Sequence, residues 1–217
     1  MPKRKPRKPA GTTGYLPWGT PELPFRRLDI PQDAREREHF VVEMLFADKH
    51  HGGPNLYDLF DIRTVPTQNP ERNDFPDFSL PVSGPQNRYL EVTEFAPLSG
   101  LGTYDQIPHT FQRGGLADRA AAAVLAKWEH YREGARGAAL LMYTADWRLH
   151  LDEPTVELFR RTLARREHGF SIVIYYALLD DIGGELYLIA PAVTANADFD
   201  EEAVRRSVAV RADLTSS

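Results

Sequence analysis

The stretch from Ala138 to Thr144 is the sequence feature that most constrains the fold. It is a continuous apolar run without a charged residue, as expected of a central strand that is buried on both faces of a sheet. The alanine-rich segment before it, Leu116 to Tyr131, favours a helix. A helix followed by such a strand predicts an α/β protein in which helices pack against a sheet.

The other elements follow from hydrophobic periodicity and from the turn residues between them. Further helices are predicted from about Pro31 to Lys49, with Asp33 as a candidate cap, from Pro154 to Gly169, and as a short helix from Asp200. Strands are predicted at Leu56–Val65, Asp77–Val82, Arg88–Phe95, Phe170–Leu179 and Glu185–Ala190, with hairpin turns at Ser83-Gly84-Pro85 and Gly183-Gly184 and loops at Pro66–Pro76 and Pro97–Gly115. The order is α, three strands, α, strand, α and a hairpin, which predicts a mixed sheet with helices on it.

Composition excludes several classes of protein. The chain has no cysteine, which excludes a disulfide scaffold and a cysteine nucleophile and suits a reducing compartment. No apolar run approaches the roughly 18 residues of a membrane span, and no apolar segment follows the basic start as it would in a secretory signal. We therefore expect a cytoplasmic protein without membrane insertion. The motifs of P-loop nucleotide hydrolases, serine hydrolases and zinc proteases are also absent from the sequence.

Charge and proline content divide the chain into three predicted regions: a basic, Pro/Gly-rich arm at 1–30, an α/β domain at 31–198 and a tail at 199–217. The net charge is −5, but the first nine residues hold five positive charges and no acid, so the remainder carries −10. A basic arm can bind polyanions by releasing counterions; it can equally be a disordered, solubilising start. Because the body is acidic, any nucleic-acid surface on it must be local.

Two acidic residues are candidate metal ligands. Asp77 follows Pro76, and Glu91 opens the sequence Glu91-Val92-Thr93-Glu94 fourteen residues later. If Asp77 lies on the neighbouring hairpin strand, its carboxylate can meet that of Glu91. Two convergent carboxylates suit Mg²⁺, which takes oxygen ligands and keeps several waters. The alternative is a pair of solvated acids at strand ends.

Two helices add candidate site residues. Glu38 shares a helical stripe with Ala34, Val41, Val42 and Leu45, so it lies on the face expected to meet the sheet. Lys127 lies near the centre of a second stripe, formed by Leu116, Ala120, Ala123, Val124, Lys127 and Tyr131. A lysine at such a position commonly extends to water; here it can instead be directed at an acidic site.

This pattern resembles the PD-(D/E)xK, or restriction-endonuclease-like, nuclease superfamily over roughly residues 33–145. The resemblance rests on the α-β-β-β-α-β order, on Pro76-Asp77 and Glu91-x-Thr93 on successive strands, on Glu38 in the first helix, and on Lys127-x-x-x-Tyr131 in the next helix. It implies a mixed central sheet flanked by helices, an αβββαβ core to which this chain adds a C-terminal helix and a β-hairpin.

The resemblance also implies a function, a nuclease or other phosphodiester hydrolase that depends on Mg²⁺ or Mn²⁺ and acts on nucleic acid. Asp77 and Glu91 would hold the metal, Glu38 a water bound to it, and Lys127 would assist catalysis. One position departs from the family, because Thr93 stands where members that cut DNA usually carry lysine.

Two explanations of Thr93 remain open. Lys127 can replace the missing lysine from the neighbouring helix, or the metal site is weakened and the domain keeps the fold for binding. In the second case we expect a catalytically inactive module that binds nucleic acid or a protein partner, with a homodimer through its C-terminal strands and helix as one form. A third hypothesis is an unrelated α/β protein whose acids lie on its surface.

Overall fold

A computed structural model of the protein describes residues 30–48, 52–70, 76–82, 88–96, 108, 110–144, 146, 149–178, 184–191 and 198–210. The helices are α1 (Ala34–Ala47), α2 (Leu56–Phe60), α3 (Arg113–Tyr131), α4 (Glu153–Ala164) and α5 (Glu201–Arg206), with a 3₁₀ turn at Arg132–Ala135. The strands are β1 (Thr67–Gln68), β2 (Phe78–Leu80), β3 (Arg88–Glu94), β4 (Thr110–Gln112), β5 (Ala139–Thr144), β6 (Ile172–Leu178), β7 (Gly184–Ala190) and β8 (Val208–Val210). Residues 1–29, which hold nearly all of the predicted basic arm, lie outside the described residues.

Six of these strands form one mixed sheet in the order β1-β2-β3-β5-β6-β7. The inner strands β3, β5 and β6 are parallel, while β1, β2 and β7 pair with their neighbours in antiparallel fashion. All six residues of β5 are buried, which confirms the prediction of a central strand. The protein is therefore of the α/β class, with a mixed six-stranded sheet.

Helices cover both faces of the sheet. One layer contains α1 and α2, which pack on Leu141 and Tyr143 of β5, and the other contains α3 and α4, which pack on Leu140 and Met142 of the same strand. This alternation is the period-two pattern of a strand buried on both sides. No helix among the described residues is long and apolar enough to cross a membrane.

The predicted strand at Leu56–Val65 is wrong. The Asn55 side chain accepts a hydrogen bond from Tyr57 N at 2.9 Å and caps a single helical turn, which is followed by Asp61 in the left-handed conformation, φ 53°. Leu56 and Phe60 are both buried while Asp58 between them is exposed, which fits helical spacing, because a strand would place all three on one face. The first strand of the sheet is instead β1, inside the predicted loop at 66–76.

A second small sheet also departs from the sequence prediction. Strand β4 lies inside the predicted loop at 97–115 and pairs with β8, almost a hundred residues later. The same loop prediction overlaps the start of α3 at Arg113, and α4 ends at Ala164, well before Gly169. Three-residue strands carry too little periodicity to be recognised from sequence. Other predicted features, including the turn at 83–85, lie outside the described residues.

The C-terminal segment 198–210 is held to the body by ion pairs. Arg205 contacts Asp118 at 2.9 Å and donates to Thr162 Oγ1 at 2.7 Å, so α5 is joined to both α3 and α4. Arg165 of the α4 end contacts Glu201 at 2.6 Å. The short helix expected from Asp200 is confirmed as α5, with the Asp200 side chain accepting from Ala203 N.

Gly169→Ala is expected to destabilise the protein by about 2 kcal/mol, the usual range for an overpacked site. A β-carbon at Gly169 would lie 2.2 Å from the Trp128 ring, whereas one at Gly115 would meet nothing within 4 Å. The matched control Gly115→Ala is therefore expected to stabilise α3 by about 0.5–1 kcal/mol. Urea unfolding measures both values; equal effects at the two glycines would contradict the packing argument.

Candidate active site

The candidate site lies where the pairing of β2 with β3 ends. The last pair at this end is Phe78 with Leu90, so continuing the register places Asp77 opposite Glu91. Beyond that pair the Val92 N–H has no strand partner on this side and donates to Asp77 Oδ2 at 2.7 Å. We call this gap beside β3, where β2 stops and β3 continues, the notch. The Asp77 carboxyl is thus fixed by the end of the strand pairing itself.

Glu91 is buried at the inner wall of the notch. It is 0% exposed, and its Oε1 accepts a hydrogen bond from Lys127 Nζ at 2.6 Å. The other oxygen, Oε2, is buried and accepts no hydrogen bond from the described residues. Glu91 is therefore not the solvated strand-end acid of the alternative hypothesis, and one of its oxygens remains available to a proton or a cation.

Lys127 reaches Glu91 from α3 because it continues a buried row of that helix. Leu116, Ala120 and Val124 pack against the sheet, and Lys127 follows on the same face, with its side chain 28% exposed. Tyr131 lies one turn further, its ring centre 5.5 Å from Lys127 Nζ. Burial, the negative charge of Glu91 and a hydrogen bond to it raise the pKa of the Tyr131 phenol.

Glu38 reaches the notch from α1, on the opposite face of the sheet from α3. Of its predicted stripe, Val41, Val42 and Leu45 are buried, whereas Ala34 is exposed at the start of the helix. Burial and the negative charge of Asp77 raise the pKa of Glu38 to about 7, against the opposing charge of Lys127. The charges that act on Glu38 thus include one from β2's end, Asp77, and one from α3, Lys127.

The pKa of Asp77 is also raised by burial and by a neighbouring negative charge. Burial and the charge of Glu91 raise its pKa to about 6, although the hydrogen bond from Val92 N and the charge of Lys127 act in the opposite direction. The notch therefore holds three carboxyl groups and one ammonium group, and near neutral pH it retains protons that a bound cation could replace.

The carboxyl groups of the notch meet the requirements of some divalent cations but not of others. Among the described residues, no group of three or more His, Asp and Glu side chains is placed to hold a metal ion, so an all-protein cage is not present there. Mg²⁺ is commonly bound by one or two carboxylates together with waters. The Asp77 carboxyl and Glu91 Oε2, which accepts no hydrogen bond from the described residues, fit that smaller requirement.

All four residues proposed from the sequence, Glu38, Asp77, Glu91 and Lys127, thus converge on the notch, while the half-buried Thr93 provides no cation. Sequence reasoning missed two neighbours of the site. Arg37 Nε of α1 donates to the Tyr143 hydroxyl at 3.0 Å and lies 3.6 Å from Glu94 Oε2. Asn69, directly after β1, donates to the backbone at Pro76 and Asp77. No sequence pattern marks either residue, because both act through contacts distant in the chain.

Glu38→Gln is expected to stabilise the protein at pH 8 and to have little effect near pH 4.5. The Glu38 pKa of about 7 lies above its ordinary value of 4.5, so the folded state binds this proton more tightly than the unfolded chain. Stability then falls as pH rises from about 4.5 through 7. The full shift corresponds to about 3 kcal/mol, and partial solvation reduces the expected gain to about 1–2 kcal/mol.

Urea unfolding between pH 4.5 and 8 measures this gain. Glu36→Gln, at an exposed glutamate in the first turn of the same helix, is the matched control and should change stability by less than about 0.5 kcal/mol. A Glu38→Gln protein that is less stable than wild type at pH 8 would contradict the crowding of carboxyl groups in the notch.

The fold and the notch define an α/β protein with a mixed six-stranded sheet and a carboxyl–lysine cluster beside its third strand. No protein-family model matches the chain, and comparisons with curated proteins and with solved structures also give no significant match. The functional interpretation accordingly depends on the chemistry of the notch.

Proposed function

We propose that the protein is a divalent-metal-dependent phosphodiester hydrolase acting on nucleic acid, with a restriction-endonuclease-like core. The observation that carries the proposal is the buried Glu91 carboxylate, whose Oε1 accepts from Lys127 and whose Oε2, near Asp77, accepts no hydrogen bond from the part of the chain that the structure describes. A buried polar atom without a partner is costly, and a cation there would remove that cost. Apart from the short helix α2, the short strand β4 and the 3₁₀ turn, the order α1, β1, β2, β3, α3, β5 is compatible with the αβββαβ core that the resemblance implies.

Asp77 and Glu91 would hold the ion, Mg²⁺ or Mn²⁺. When bound, such an ion polarises a phosphoryl oxygen and lowers the pKa of an attacking water. Glu38 would hold and orient a water, since its raised pKa of about 7 lets it accept or release a proton near neutral pH. Lys127 would place positive charge where negative charge develops on the phosphate, the role that Thr93 cannot perform.

A specific observation favours the alternative, an inactive module that binds nucleic acid or a protein. Lys127 is already paired with Glu91 at 2.6 Å, so its charge is partly consumed by the residue that would hold the metal. The body of the chain is also acidic, which disfavours extended phosphate contacts outside the basic start. The two proposals make opposite statements about metal binding.

A cleavage assay distinguishes them. Single- and double-stranded DNA and RNA are incubated with the full chain and with Mg²⁺ or Mn²⁺, comparing wild type with Glu91→Ala and Lys127→Ala. Metal-dependent cleavage that both substitutions abolish would support the hydrolase with Lys127 as its cation. Cleavage lost in Glu91→Ala but retained in Lys127→Ala would reject the role of Lys127, and no cleavage together with no Mn²⁺ binding by calorimetry would favour the binding module.

A further inference from the structure

Asn69 is bonded to the segment that carries Asp77. Its main-chain N donates to Asp77 O at 2.8 Å, and its side-chain Nδ2 donates to Pro76 O at 3.1 Å. Both carbonyls of the Pro76-Asp77 dipeptide are therefore bonded to one residue. This matters because Asp77 lies one residue outside β2, where the bonds to Asn69 hold its backbone on the β1 side.

The same residue is joined to α1. The Arg35 guanidinium donates to Asn69 O and, at 3.4 Å, to Pro70 O. In return, Gln68 Nε2 donates to Arg35 O at 3.0 Å. Arg35 lies three residues before Glu38, about one helical turn, so these bonds hold the turn of α1 that carries Glu38.

Asn69 thus connects the two segments that bring Glu38 and Asp77 to the notch from different parts of the chain. We propose that Asn69 is a positioning residue that sets the Asp77 carboxyl relative to Glu38 and Glu91 for cation binding. The inference rests on the proposed function. Asn69 acts through Asp77 and touches neither the ion nor the substrate. Loss of a residue that orients a metal ligand usually weakens binding by about 10–100-fold.

Isothermal titration of Mn²⁺ into the full-length protein tests this role with two substitutions. Asn69→Ala and Asn69→Asp both remove the donor to Pro76 O, but Asn69→Asp also adds a negative charge near the notch. If Asn69 positions Asp77, both variants bind Mn²⁺ about tenfold more weakly than wild type. If only local charge matters, Asn69→Asp binds as tightly as wild type or more tightly, which would overturn the inference.

Asn55→Ala is the matched control, because it removes an asparagine whose side chain accepts from Tyr57 N at the start of α2. We expect it to lower thermal stability while leaving Mn²⁺ affinity unchanged. An equal loss of affinity in this variant would assign the effect to general destabilisation and overturn the inference.

Arg35→Met gives a second measurement should both Asn69 variants fail to fold. It removes the bonds from α1 to Asn69 and Pro70 and should weaken Mn²⁺ binding several-fold. Unchanged affinity would count against the inference.

The wild-type titration separates the two proposals. Wild-type protein that binds Mn²⁺, together with Asn69 variants that bind it equally well, would overturn the role of Asn69 and leave the proposed function standing. Wild-type protein that binds no Mn²⁺ would overturn both.

Discussion

Lys127→Met is expected to lower the free energy of unfolding by about 3 kcal/mol at pH 8, since removing one partner of a buried ion pair leaves an uncompensated charge. The charge in question is that of Glu91, which is 0% exposed. Chemical denaturation at pH 8 measures the loss.

A double-mutant cycle assigns this loss to the pair. Adding Glu91→Gln removes the stranded charge, so the double variant should recover at least about 2 kcal/mol relative to Lys127→Met alone. The control is Arg206→Met, which breaks a pair with Glu202 in which both side chains are 75% exposed; the expected change is below about 0.5 kcal/mol. A coupling energy near zero between Lys127 and Glu91 would contradict the pairing described for the notch.

Asp77→Asn is expected to reduce metal-dependent cleavage by about a thousandfold. The substitution keeps the size of the side chain, and its amide oxygen can still accept from Val92 N, so the notch keeps its shape. It removes the negative charge needed to hold a cation, which contributes several kcal/mol of transition-state stabilisation, at 1.36 kcal/mol for each tenfold in rate. Single-turnover cleavage with Mn²⁺ measures the loss.

Folding provides an independent readout for Asp77→Asn. Because the wild-type pKa of Asp77 is raised to about 6, removal of its charge should not lower stability at pH 8 and is expected to raise it. Asp118→Asn, at a residue paired with Arg205 on the face of α3 opposite Lys127, is the matched control and should keep full activity. Cleavage that survives Asp77→Asn would show that the metal is held elsewhere.

Much of the fold could be predicted because the information is local. A long helix buries one stripe and a central strand is apolar throughout, so α1, α3 and β5 are evident in the order of their residues. The antiparallel pairing of β2 with β3 and of β6 with β7 was also predicted, and the structure confirms it. The helix at Leu56–Phe60 was missed because one turn of helix and a short strand share the same apolar residues.

The candidate site, like the fold, could be predicted from the sequence only in part. The residue types and their spacing single out Asp77, Glu91, Glu38 and Lys127 as candidates, because strand and helix periodicity decides which face each side chain takes. Whether Lys127 would extend to water or meet Glu91 depended on how α3 lies over β3. The structure places Lys127 Nζ 2.6 Å from Glu91 Oε1. The same packing leaves Glu91 Oε2 without a hydrogen bond from the described residues.

The continuous apolar run at Ala138–Thr144 requires a strand buried on both sides, and that requirement alone implies a layered α/β protein. Sequence order therefore determined the class of fold, the principal elements and the set of chemically suitable side chains. Only the tertiary structure decided the end of the β2–β3 pairing, the opposite approaches of α1 and α3, and the contacts of Asn69. The reason is physical: periodicity reports neighbours within a few residues, whereas burial and charge pairing arise between residues that only packing brings together.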